Sequence, residues 1–391
     1  MERDHALAEE DGPVLTPPLT TSGAKETLQL LARTPSARIV LGFTTGVVVP
    51  VVLILVVVQP LFSSLFPDDP VATHVRHGLQ LALVLGFLYL GIRVMRLNDS
   101  RNRTAAFTRM LVGAIAILFL PSGLLFGVLE PLLSRVIPHG ALAKAAGEIV
   151  MIPGVVALYS FLYAFYEKRA IRELSRKGCL RELGLGFAVG TALPSLTVLF
   201  LYVSGHYTVV SVNPVSVLAY ALISLAFVSC QEELFFRGVI YRICETRLGT
   251  HAAVVVSATV FGAAHLLNEN VSLAGIISAA TGGALLGVLF SLTGRLWIPM
   301  SFHLGWNLSQ VFFGSNVSGV TEYGRFLDGW LEGSRALTGG AFGIETSVPL
   351  LILLLLFTVF VYYQVIKRGR LVRPFWKGGE PDSLNARRVR S

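Results

Sequence analysis

Apolar residues run along this chain in long blocks separated by short polar segments. About ten of these blocks approach the roughly 20 mostly apolar residues that a helix needs to cross a bilayer. They begin at Ile39, Gly78, Met110, Ile149, Leu185, Pro214, His251, Leu273, Leu296 and Val348. The block "PVSVLAYALISLAFVSCQEELFFRGVIYRI" is too long for a spanning helix alone, so its second half is expected to run past the interface. The block from His251, "HAAVVVSATVFGAAHLL", is the shortest. The expected fold class is all-α: a polytopic integral membrane protein with about ten transmembrane helices.

Composition supports this reading. Of 391 residues, 53% are hydrophobic and 14% charged, where a soluble domain is nearer a quarter charged. Mean hydropathy is +0.66. A net charge of +8 raises the question of nucleic acid, and the placement of the charges answers it. With the amino terminus in the cytoplasm, the basic tail residues Arg3, Lys25, Arg33 and Arg38 fall inside. So do "RLNDSRNRTAAFTR", "EKRAIRELSRKGCLRE", Arg295 and the closing "KRGRLVRPFWKGGEPDSLNARRVRS". The outer loops keep Arg76, Arg135, Lys144, Arg325 and Arg335. This positive-inside asymmetry puts both termini in the cytoplasm. The basic residues flank helices, so their expected partners are membrane lipids, with no nucleic acid.

The chain then divides into a polar tail (1–38), amino-terminal transmembrane helices of unassigned role (39–205), a core (212–366) and a basic tail (367–391). The tail ahead of Ile39 is too long and polar for a cleavable signal peptide. Cys179, Cys230 and Cys244 have neither metal-ligand nor disulfide-framework spacing and are expected to pack as small apolar residues. The segment from Ser315 to Ser347 reads as the longest outer connection, with "LTGGAFGIETS" supplying turns.

Ionisable and amide residues inside the blocks are costly in lipid, and each is a functional candidate. Three pairs share a spacing of four, which places both members on one helix face. In "EELFFR", Glu233 and Arg237 can meet, while Glu232 points about 100° away and is free to face a cavity. In "FGAAH", Phe261 shares a face with His265, and in "HLGWN", His303 shares one with Asn307. Each has a plain structural alternative: solvation at the interface for the acids, a satisfied core histidine, and helix–helix hydrogen bonding. Together they are more specific, because His265 and His303 are the histidines lying well inside apolar blocks. The span between them, "ATGGALLGVLFSLTG", is rich in small residues that let helices approach closely.

In this order the motifs fit E-E-x-x-x-R, F-x-x-x-H and H-x-x-x-N. The stretch from Val212 to Phe313 resembles the CAAX-processing endopeptidase and bacteriocin-processing family of glutamate-type intramembrane proteases, also called the Abi family. The resemblance implies a hydrolase in which Glu232 is the base that polarises a water and His265 holds that water. His303 and Asn307 would support the oxyanion. Glu233 and Arg237 would orient the site, with Glu233 sharing in catalysis, and Phe261 would give structural support. The implied substrate is a membrane-associated or lipid-modified peptide or protein.

No cofactor is expected, and no metal, since H-E-x-x-H is absent and no cysteine cluster replaces it. Two readings from other classes stay open: a non-catalytic immunity or scaffold protein, and a proton-coupled transporter using Glu232. In a bacterial host the expected location is the plasma membrane.

Overall fold

The computed structural model describes residues 129–374, apart from 138, 168 and 169. The expected spans from Ile39, Gly78 and Met110, the polar amino-terminal tail and residues 375–391 of the basic tail lie outside the described residues. The long helices are α1 (Gly140–Glu167), α2 (Cys179–Val203), α3 (Ser216–Glu233), α4 (Arg242–Ala264), α5 (Leu273–Thr293), α6 (Trp297–Phe312) and α7 (Val348–Lys367).

Among the described residues, 6 helices are long and apolar enough to cross a membrane, and they mark a multi-pass membrane protein. They coincide with the blocks from Ile149, Leu185, Pro214, His251, Leu273 and Val348. The long block from Pro214 does continue: α3 passes through a π-helical stretch, Leu234–Tyr241, into α4. The chain then kinks at Gly249, whose φ of 81° favours glycine. A Cβ there would also lie 2.8 Å from the Val372 carbonyl oxygen.

The block from Leu296 departs from expectation. Helix α6 has 16 residues, about 24 Å at the α-helical rise, less than the roughly 30 Å hydrocarbon core. Pro299, Met300, Phe302, Gly305, Trp306 and Val311 on it are buried. It is apolar because protein surrounds it, with α2, α3 and α5 packed against it. One apolar cluster on one side of α6 joins Tyr159, Phe227, Leu234, Val239 and Met300. A second, on the other side, joins Leu193, Leu201, Leu289, Phe302, Trp306 and Leu354.

Polarity is inverted relative to a water-soluble fold. Leu180, Leu199, Phe200, Val203, Leu356 and Phe360 face outward, while Glu148, Glu233, Arg237, Asn307 and Gln310 are buried. Lipid tolerates the first set, and the second must find partners inside.

The all-α expectation needs one addition, a two-stranded antiparallel sheet of β1 (Tyr207–Val212) and β2 (Leu327–Leu331). Tyr207 pairs with Leu331 and Val212 with Leu327. The sequence "YTVVSV" is β-branched, which suits a strand, but it lacks the alternation that would have marked it. The segment between α6 and α7 is correspondingly more than a connection. It carries β2 and buries Phe342, Ile344, Glu345 and Thr346.

Glycines set the helix spacing around α6. Gly186 and Gly190 on α2 form a small-xxx-small pair against it. A Cβ on Gly186 would lie 2.6 Å from Ile298 O, and one on Gly190 2.9 Å from Phe302 Cα. The close approach expected of α5 is also present, with a Cβ on Gly262 falling 2.9 Å from Ala280 Cβ.

Replacing Gly190 with Ala should therefore force α2 and α6 apart and cost about 1–3 kcal/mol, the usual scale of overpacking. Gly184 on the same helix has open space around its Cβ position. Gly184→Ala should instead be neutral or gain up to about 1 kcal/mol of helix propensity. Thermal unfolding of the purified variants in detergent checks both signs. Equal behaviour of the two would contradict the packing.

Candidate active site

Glu233 and Arg237 meet at the end of α3, where it enters the π-helical stretch. Arg237 Nη1 donates to Glu233 Oε1 at 2.7 Å, and both side chains are 0% exposed. The solvated-interface alternative for this pair does not hold. Arg237 Nη2 donates to the Gly283 carbonyl on α5 at 2.9 Å. Its guanidinium carbon lies 4.5 Å from the Phe261 ring centroid on α4, in cation–π range. One buried cation therefore ties three helices. Breaking such a pair by removing one partner typically costs about 3–5 kcal/mol, because the other charge stays buried. In the π-helical stretch the Gly238 carbonyl accepts from Tyr159 Oη at 3.0 Å and from Arg242 Nε at 2.7 Å.

His303 approaches this pair from α6. Its Nδ1 lies 3.0 Å from Glu233 Oε1. A carboxylate accepts, so Nδ1–H donates and the free nitrogen is Nε2. Nε2 stands 3.9 Å from Glu232 Oε2. That exceeds a direct hydrogen bond and suits a bridging group. Glu232 keeps 28% of its side chain exposed, against 0% for Glu233. The adjacent acids therefore stand in different surroundings, one locked and one accessible.

His265 ends the F-x-x-x-H motif. Helix α4 stops at Ala264, and a short 3-10 turn, His265–Leu267, follows. The terminal carbonyls of a helix lack intrahelical donors, and His265 Nδ1 donates to one of them, Phe261 O, at 2.8 Å. That bond also leaves Nε2 as the free nitrogen. The Phe261 ring is central: its centroid is 4.8 Å from that of His265 and 5.9 Å from that of His303.

These side chains converge. Phe261, His265, His303 and Asn307 line one cavity together with Ser278, Trp306 and Glu345. Its volume is about 40 Å³, room for about three waters at 10–15 Å³ each. Glu232 lies beside the cavity, reached through His303 and not in its wall. Asn307 is buried on the same face of α6 as His303, one turn on.

Sequence reasoning missed three groups. Glu345, in the "GIETS" stretch taken for turns, is 5% exposed and stands in the cavity wall. Glu148 on α1 is 2% exposed, and Ser224 Oγ on α3 donates to its Oε2 at 2.7 Å. Tyr323, from the segment after α6, comes within electrostatic range of Glu232. Its phenol is pushed up by burial and then by the carboxylates of Glu322, Glu232 and Glu148. Glu148 carried a usable signal, as an acid at the edge of the block from Ile149. Among the described residues no group of three or more His, Cys, Asp or Glu side chains is arranged to hold a metal ion.

Comparison with known proteins adds a family. The pattern of the family described as Type II CAAX prenyl endopeptidase Rce1-like matches residues 214–309. That stretch contains α4 and α5, the paired glutamates, both cavity histidines and Asn307. No curated protein and no solved structure gives a significant match to the chain. The match is confined to residues 214–309, where the acid pair, the arginine and the two anchored histidines lie, and there the chain is similar to the Rce1-like CAAX endopeptidases, a family of proteases.

Proposed function

We propose that this chain is a glutamate-type intramembrane endopeptidase. It hydrolyses a peptide bond of a membrane-associated or lipid-modified peptide or protein without a metal ion. The observation that carries the reading is the position of His303. It is anchored to Glu233 at 3.0 Å, stands 3.9 Å from Glu232, and shares a cavity wall with His265 and Asn307.

In the proposed reaction, Glu232 takes a proton from a water as the water oxygen attacks the carbonyl carbon of the substrate. Water is a poor nucleophile, and a base positioned this way typically contributes about 10²–10⁴-fold. His265 Nε2, left as an acceptor by the Nδ1 bond to Phe261 O, holds the second hydrogen of that water. The carbonyl oxygen becomes an oxyanion and accepts from the Asn307 amide and from His303 Nε2–H when that ring is protonated. Collapse breaks the C–N bond, and Glu232 returns its proton to the leaving amine. Glu233 and Arg237 hold His303 and Phe261 in place and do not touch substrate.

The reading includes an orientation. Both termini face the cytoplasm, as the asymmetry of basic residues indicates, and in a bacterial host the membrane is the plasma membrane. A substrate anchored in lipid reaches such a site without leaving the bilayer.

Glu232→Gln should reduce cleavage by about 10²–10⁴-fold with folding intact. The check is a membrane-proteome comparison of wild type and variant for peptides that lose their cut ends, paired with thermal unfolding of both. Full proteolysis by the variant sinks the mechanism. Toxin protection or proton-coupled solute flux that persists without peptide hydrolysis would favour the immunity or transporter reading instead.

Chelator treatment of the purified active protein should leave its rate unchanged, with metal content far below one ion per chain. Loss of activity on chelation, restored by zinc, would overturn the metal-free chemistry.

A further inference from the structure

The segment between α6 and α7 delivers an acid to the cavity wall that the proposed hydrolysis does not use. Glu345 sits on a single 3-10 turn, Ile344–Thr346, immediately before α7. The turn is fixed from several sides. Ser278 Oγ on α5 donates to Glu345 O at 2.6 Å, the Ile344 amide donates to Ser315 Oγ at 2.9 Å, and Thr346 Oγ1 donates to Gly343 O at 3.0 Å. The carboxylate is therefore held in place by its backbone as well as by its own bonds.

Its two oxygens are treated differently. Oε2 accepts from Trp306 Nε1 at 3.0 Å and from Gln310 Nε2 at 3.2 Å, both on α6. Oε1 is buried and has no hydrogen-bond partner among the described residues. Nor does Glu345 belong to any ion pair among them. The donors on Oε2 are neutral, so the carboxylate charge has no cation against it. A buried acceptor left without a donor is costly, and the carboxylate that carries it stands in the cavity wall.

The chemistry of the walls narrows what fits. Phe261, Phe302 and Trp306 line the same cavity. Aromatic faces beside a carboxylate favour a cation. An anion would meet the Glu345 charge, and a purely apolar group would leave Oε1 without a donor. At about 40 Å³ the cavity has room for a small head group.

We propose that Glu345 forms a subsite for a primary ammonium group, carried by the substrate as a lysine side chain or as a free amino terminus. In naming the substrate the inference rests on the peptidase reading above. Glu345 lines the same cavity as His265, His303 and Asn307, so the ammonium is set beside the scissile bond.

Two arms test this on the full chain. In the first, thermal unfolding in detergent is followed with hexylammonium and with hexanol as probes. Wild type and Glu232→Gln should be stabilised by the amine beyond the alcohol, and Glu345→Gln should not. Equal amine stabilisation of wild type and Glu345→Gln overturns the subsite. In the second arm, lipid-anchored peptides differing only by lysine or norleucine, scanned along the chain, are cleaved in proteoliposomes. A matched pair carries a free or an acetylated amino terminus. Wild type should prefer the ammonium-bearing member of one pair in kcat/KM by about tenfold or more, the scale of a hydrogen bond to a charged group. The pair that shows the preference identifies lysine or amino terminus as the source. Wild type showing no preference in any pair overturns the subsite even if Glu345→Gln fails to fold. Amine stabilisation without any peptide hydrolysis would leave the subsite standing and sink the peptidase reading alone.

Discussion

A carboxylate and a guanidinium with no access to water govern this structure. Glu233 and Arg237 are both fully buried, so neither charge is stable there without the other. Meeting that demand draws in the surroundings. Arg237 reaches the Gly283 carbonyl on α5 and the Phe261 ring on α4, and Glu233 reaches His303 on α6. Four segments of chain are thereby brought to one point. The π-helical stretch that carries Arg237 adds the Gly238 carbonyl, which accepts from Tyr159 and Arg242. Wide turns of this kind often accompany functional sites.

The two cavity histidines follow from the same economy of partners. Each commits Nδ1 to a fixed acceptor, Glu233 for His303 and the Phe261 carbonyl for His265. In each ring Nε2 is the nitrogen left for a water or a substrate. Such a bond fixes both the tautomer and the ring plane, which is the preorganisation a catalytic site needs. Phe261 lies against Arg237, His265 and His303 together. A change at this ring would be felt at every polar group around it.

Around this centre the fold is arranged for lipid. The outward faces of α2 and α7 are apolar, and buried polar groups cluster inside. Helix α6 is the exception among the apolar blocks, since it serves as the enclosed post on which His303, Trp306, Asn307 and Gln310 are mounted. The glycines of α2 let it sit close. The segment after α6 then returns to the cavity, where Glu345 meets Trp306 and Gln310. The site thus takes groups from both membrane helices and the connection between them.

Much of this was legible in the amino-acid order. Apolar block length marked the membrane helices, because bilayer thickness imposes a length that no other environment does. The spacing of four placed Glu233 with Arg237, Phe261 with His265 and His303 with Asn307, because helical periodicity is local. The Gly186–Gly190 pair was equally visible and went unused. Block length could not separate α6 from a span, since a helix buried in protein is as apolar as one in lipid. "GIETS" read as part of a turn-supplying stretch of an outer connection, and nothing local turned Glu345 inward. Its contacts with Trp306 and Gln310 join residues 35 or more positions apart. The spacing already set Glu233 with Arg237 and left Glu232 free, but the approach of His303 to both acids was decided only by where α6 packs. Periodicity and length act along the chain, whereas burial and pairing are decided by whichever segment arrives from elsewhere.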